Sequence, residues 1–188
     1  MPGVAAAPGG VGETGGVRLF VAVWPPEEVL AGLGDVVARA RTAAPGARWV
    51  GREQWHVTLR FLGDVADAGP VADALAAAPL PAAEAVVGPR ATALGRNVLV
   101  LPVAGLDGLA AAVATATDGL GAAPDALPFR GHLTLARAPR RARLPAGLPG
   151  RVPAFGRRFP VTAAHLVRSH LTSTGPRYED LAILPTRA

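Results

Sequence analysis

Hydrophobic and polar positions change period several times along the chain, and each change marks an element. Residues 18–24 (RLFVAVW) form a compact β-branched and aromatic run that reads as a buried first strand. Pro25 and Pro26 stop it, and Glu27 and Glu28 stand where a helix N-terminus favours negative charge. Val29, Leu33, Val36, Val37 and Ala40 then share one face at helical spacing, which predicts a helix to about Ala44. Residues 54–62 (QWHVTLRFL) alternate as a strand ended by Gly63 and Asp64, and a second helix is expected over 68–78. Strands are predicted at 85–93 and 97–103, joined by a turn at 94–96, followed by a helix over 107–120. Residues 129–138 (FRGHLTLARA), 159–167 and 178–184 complete the strands, with a turn at Gly175 and Pro176. This order implies an α+β fold with a mainly antiparallel sheet, in two halves that each deliver a His-bearing strand near a helix.

At 188 residues the chain is long enough for one domain with a sizeable core. Residues 1–16, almost all Ala, Gly, Pro and Val, read as a disordered leader without the positive start of a signal peptide, leaving 17–188 as a single domain. No stretch offers about 20 uninterrupted apolar residues, so no membrane span or membrane partner is expected. The absence of cysteine excludes disulfides, thiol nucleophiles and Cys-ligated zinc. All 19 basic residues are arginine, which excludes a Schiff base, a Walker A loop and a lysyl-nucleotide intermediate. Arginine in place of lysine, with abundant Ala, Gly and Pro, reflects G/C-rich codons, so the net charge of +5 says less than its placement. Between Asp125 and Glu179 there is no acidic residue, while Arg130, Arg137, Arg140, Arg141, Arg143, Arg151, Arg157, Arg158 and Arg168 fall there. Such a stretch is either a solvated loop or a means of concentrating an anionic ligand such as a phosphate or RNA.

One tetrapeptide pattern, His-x-Thr-Leu, occurs in two predicted strands, at His56, Thr58 and Leu59 and at His132, Thr134 and Leu135. Residues i and i+2 of a strand point to one face about 6.6 to 7 Å apart, so each histidine shares a face with its threonine. Trp55, Val57, Leu59 and Phe61 then face the core in the first strand, as Leu133 and Leu135 do in the second. If the halves are related by an approximate twofold, both polar faces line one cleft. Two imidazoles suit phosphoryl chemistry, one as base toward an attacking water and the other as acid toward a departing sugar oxygen. The threonine hydroxyls can donate to non-bridging phosphate oxygens, and Arg130, two residues before His132, would add a charge-assisted contact from the same face. Neither histidine has a carboxylate two or four residues away on its face, so no metal and no cofactor is expected.

The remaining candidates have milder readings. His170 is expected at the rim and His165 in a structural role. Arg60, on the face of His56 and Thr58, would reach substrate or pair with a carboxylate at the cleft edge. Trp49, Trp55, Phe61 and Phe129 read as core, with Phe61 and Phe129 also able to offer a ring to a nucleobase. Arg140, Arg141 and Arg143 read as a basic loop.

The twin motif, 76 residues apart, together with RLFVAVWPPEEV, PFRGHLTLAR and SHLTSTGPRYEDL, resembles the 2H phosphoesterase superfamily over about residues 18–184. Within it the chain is most similar to the bacterial and archaeal RNA 2′,3′-cyclic phosphodiesterases once named 2′-5′ RNA ligases. The resemblance implies a bilobal, pseudo-twofold fold with two mainly antiparallel sheets and a central cleft. It implies metal-independent hydrolysis of 2′,3′-cyclic phosphates on RNA ends or nucleotides to 2′-phosphates, by a cytoplasmic monomer, with His132 as base and His56 as acid. The alternatives are 2′-5′ ligation at the same site and a non-catalytic nucleotide or RNA binder. The family commonly has proline before the second histidine; Gly131 stands there in this chain, which should loosen the start of that strand.

Overall fold

The computed structural model describes residues 16–123, 127–139, 142–173 and 175–187. The expected leader lies outside the described residues apart from Gly16, and so do Arg140 and Arg141. The described strands are β1 (Val17–Val23), β2 (Arg48–Trp49), β3 (Val57–Val65), β4 (Ala83–Val87), β5 (Thr92–Leu94), β6 (Val98–Ala104), β7 (His132–Arg137), β8 (Arg157–Val161), β9 (Ala163–Thr172) and β10 (Gly175–Pro185). Four α-helices lie between them: α1 (Glu27–Ala43), α2 (Gly69–Ala77), α3 (Asp107–Ala116) and the short α4 (Leu148–Arg151).

The strands run in the order β10-β9-β1-β3-β7-β6-β4-β8, with β2 added to β7 and β5 to β6, and every neighbouring pair is antiparallel. The class is α+β, as the element order predicts. The path falls into two four-stranded halves, β10-β9-β1-β3 and β7-β6-β4-β8, joined along it by Val57 opposite Leu133, while Arg187, just beyond β10, bridges to Pro81, just before β4. Both His-x-Thr-Leu segments therefore lie at this seam. The helical face is dry: Val29, Leu33, Val36, Val37 and Ala40 of α1 are all buried, as their spacing predicts, in one core with Leu133 and Leu135. Phe20, Ala22 and Val167 form a separate small cluster, with Trp24 and Tyr178 packed on it. Among the described residues no helix is long and apolar enough to cross a membrane.

Several predicted boundaries move. The strand expected at 54–62 begins at Val57, because Arg52–Gln54 turn into one 3-10 turn, and it runs through Gly63 to Val65. Gly63 has φ +70 and sits beside a register shift, so it makes a bulge where a strand end was expected. The strand expected at 85–93 breaks into β4 and β5 at Gly88, which has φ +82 and approaches the Phe155 carbonyl so closely that an added Cβ would lie 1.8 Å from it. The helix expected over 107–120 ends at Ala116. The apolar run 159–167 is two strands, one in each half, divided at Thr162. The run 129–138 forms a strand only from His132 onward.

Candidate active site

The two motif strands share a defect that composition does not announce. Along β3, Thr58 pairs with Ala22 and Arg60 with Val21, leaving Leu59 as the extra residue of a bulge. Along β7, Thr134 pairs with Val100 and Ala136 with Leu99, leaving Leu135 in the same role. An extra residue reverses the alternation beyond it. Arg60 accordingly turns to the helical side, is 6% exposed, and donates to the carbonyls of Ala114 at 2.7 Å and Ala122 at 3.3 Å. It does not line the cavity that holds both histidines, bordering only the neighbouring one, and among the described residues it forms no ion pair with a carboxylate, which corrects the expectation made from strict alternation. Phe61 moves the opposite way and is 44% exposed, not core, and Arg137 is its counterpart five residues after the second histidine.

His56, Thr58, His132 and Thr134 line one cavity of about 460 Å³, together with Arg48 and Arg137. Each histidine is held the same way. His56 Nδ1 lies 2.7 Å from the Gln54 carbonyl and His132 Nδ1 lies 2.7 Å from the Arg130 carbonyl, each two residues upstream. A carbonyl oxygen only accepts, so Nδ1 carries the hydrogen on both rings and Nε2 is left to exchange a proton.

Three rings surround His56. Phe20 is 4.9 Å away between centroids, Tyr178 5.1 Å and Trp24 5.4 Å, the last two edge to face. Their burial of the imidazole pushes its pKa down to about 4, against the opposing bond to Gln54 and with help from His132 and Arg137. His56 is thus neutral at pH 7 in the free protein, which suits a base. The acid role expected of it requires a bound phosphate anion to offset the desolvation. An NMR titration of the free protein is expected to place one imidazole near pH 4, absent from His56→Gln, and saturating inorganic phosphate should move it upward. A His56 resonance titrating near the ordinary 6.5 in the free protein would contradict this account.

A second layer fixes the rings. Asp180 accepts from Trp24 Nε1 at 3.0 Å and from His165 Nδ1 at 2.8 Å, tying β10 to β1 and β9 behind His56. His165 has the structural place expected of it, and His170, bonded to Glu179 at 2.7 Å, stands outside the cavity. The sequence points to Arg137 only as one of a basic stretch able to concentrate an anion, and it assigns no site role to Trp24, Gln54, Tyr178 or Arg48. The only signal for Trp24 and Tyr178 was their presence in segments that carried the resemblance.

Arg130 precedes β7 and does not share a strand face with His132. Its carbonyl orients His132, while its side chain lines a neighbouring cavity and not the one holding both histidines. Arg137 and Arg48 supply the cationic wall instead. Gly131 is not a loose point: its carbonyl accepts from Val103 at 2.8 Å, and a Cβ there would lie 2.4 Å from the Val103 oxygen. The glycine lets the start of β7 lie flat on β6, where a proline ring would collide. Among the described residues no three His, Asp or Glu side chains converge as a metal-ligand set.

Comparison with known proteins agrees with this geometry. The family described as LigT like Phosphoesterase matches residues 23–88, which include the first motif. The solved TT0787 protein of Thermus thermophilus is 31% identical, with a TM-score of 0.69 over 90% of this chain and 98% of that one. The chain belongs to the LigT-like phosphoesterase family. An RNA 2′,3′-cyclic phosphodiesterase of Geobacillus stearothermophilus is 31% identical over 181 residues, covering 88% of this chain. The chain spans 56% of the length of that relative. The LigT fold itself is shared with the E. coli protein solved with 3′-AMP, at a TM-score of 0.71, 24% identity and coverage of 92% and 99%. Within this LigT-like phosphoesterase fold, the curled antiparallel sheet and its two halves match the bilobal architecture that the resemblance implies.

Proposed function

We propose that the protein hydrolyses 2′,3′-cyclic phosphates on RNA ends or nucleotides to 2′-phosphates, with His56 and His132 as an acid–base pair and no metal. The observation that carries this reading is the matched pinning of both Nδ1 atoms, which presents two Nε2 atoms to one cavity. A binder of phosphate needs donors; two imidazoles each held in the tautomer that exchanges a proton at the cleft are what a proton relay needs. In the proposed step one Nε2 takes a proton from water as its oxygen bonds to phosphorus. The bond from phosphorus to O3′ breaks, and the other Nε2 gives its proton to O3′. Thr58 and Thr134 donate to the non-bridging oxygens, and Arg137 neutralises the charge that grows on them. The name of the Geobacillus relative supports the substrate class.

Incubating the protein with a nucleoside 2′,3′-cyclic phosphate after exhaustive treatment with EDTA is the test. Hydrolysis is expected to persist, and phosphorus NMR to show the 2′-phosphate. Activity lost with chelator and restored by a divalent ion would end the two-histidine account, and a 3′-phosphate product would reverse the placement of the sugar.

A further inference from the structure

Of the three rings around His56, two sit inside the strand ladder and one does not. Phe20 lies opposite Phe61 and Val167, and Tyr178 lies opposite Ser169, so neighbouring strands fix both. Trp24 stands one residue beyond the last pair of β1, Val23 opposite Val57, and is followed by Pro25, which has no N–H to donate. Its indole is reached instead from β10, 156 residues later, where Asp180 Oδ1 accepts from Nε1 at 3.0 Å. The other carboxylate oxygen accepts from His165 Nδ1 at 2.8 Å, which leaves the carboxylate one orientation. A third bulge puts Asp180 there. Asp180 pairs with Val167 and Ala182 with Leu166, so Leu181 is the extra residue. Before it, Tyr178 and Asp180 face the side of His56; beyond it, Ala182 and Leu184 join the helical core.

We propose that Asp180 is a positioning residue for His56: it holds the Trp24 indole edge to face against the imidazole, with His165 bracing the carboxylate. The inference rests on the reading of His56 as one half of the acid–base pair, and it concerns how that ring is kept out of water. Neither Asp180 nor Trp24 lines the cavity that holds both histidines, so their effect runs through His56. Released from Asp180, the indole is kept in place only by packing on Phe20, Ala22 and Val167, and water reaches the part of the imidazole that it covered at 5.4 Å. A direct effect of the carboxylate charge would have the opposite sign. The charged and titratable groups that face His56 are His132 and Arg137 from β7, Arg48 from β2, Glu53 from the 3-10 turn and Tyr178 from β10, on which Arg18 of β1 acts. Asp180 is not among the charges that act on the imidazole. Losing an anion favours the neutral imidazole and lowers its titration midpoint, whereas losing the wall that an anion holds admits water and raises it.

The experiment follows the His56 resonance against pH by NMR in the free protein, together with the acid limb of kcat/KM for a nucleoside 2′,3′-cyclic phosphate, which reports the free enzyme. Asp180→Ala is expected to move the midpoint upward from about 4, by on the order of one pH unit, and the limb with it. Asp180→Asn keeps an acceptor for the indole, and its amide can meet His165 in the other tautomer, so it should keep the wild-type midpoint. Trp24→Leu should raise the midpoint by itself, and adding Asp180→Ala to it should raise it no further, because the indole carries the effect. A midpoint that stays or falls in Asp180→Ala overturns the assignment, as does a full second shift in the double variant. Lower thermal stability with an unmoved midpoint also overturns it, reducing Asp180 to a tie between strands. Where Asp180→Ala does not fold, Trp24→Phe decides: it keeps a ring without the N–H, so the midpoint should rise, and an unchanged one overturns the proposal. The titration needs no substrate. If the wild type hydrolyses no cyclic phosphate, the hydrolase reading fails, while an upward midpoint still supports the hold of Asp180 on His56.

Discussion

Replacing either His56 or His132 by alanine is expected to lower turnover of a nucleoside 2′,3′-cyclic phosphate by about 10²- to 10⁴-fold. Each imidazole has its Nδ1 hydrogen committed to a backbone carbonyl, so its only remaining exchange is at Nε2 toward the cavity. In the proposed relay, removing one deletes half of a unit whose other half then has no proton to receive or to give. The double variant should therefore cost far less than the product of the two single losses. The wild-type profile of rate against pH is expected to be bell-shaped, since one ring must be neutral and the other charged, and each single variant should lose one limb. Single-turnover measurements separate these losses from product release. Near-wild-type turnover in either alanine variant would falsify the catalytic reading.

Arg137→Gln is expected to cause the next largest loss, about 10²-fold in kcat/KM, as for removal of one group that stabilises charge in the transition state. Arg137 lines the cavity with both histidines and, among the described residues, has no carboxylate partner to neutralise first. Its charge is also one of the influences that lower the His56 pKa, behind burial and His132. The substitution should thus move the His56 titration upward in the free protein while lowering the rate. A change in rate with no shift in that titration would place the guanidinium farther from His56 than the cavity geometry does. No change in either would remove it from the site.

The motif was readable because strand alternation holds from His56 to Thr58 and from His132 to Thr134, and both pairs face one cavity as that alternation requires. The reading failed one residue later. The bulges at Leu59 and Leu135 contain no glycine or proline, so nothing local marks the reversal that buries Arg60 and exposes Phe61 and Arg137. The division of 159–167 was hidden for a similar reason, since an unbroken apolar run carries no sign that its two ends pair in different halves. Trp24 and Tyr178 approach His56 from strands distant in sequence, and period and spacing report only on near neighbours. The helical face of α1, where every contact follows from a 3.6-residue repeat, needed no such knowledge.

The interleaving of the two halves has a consequence for biosynthesis. β9 and β10 are made after both motif strands, yet they belong beside β1, in the half that carries His56. A nascent chain that has already delivered His56 and His132 still lacks Tyr178, which covers one, and Asp180, which anchors Trp24. Until that hairpin docks, the His56 imidazole lacks one of the three rings that bury it. The surroundings of His56 are therefore completed in one late step, after both motif strands have been made.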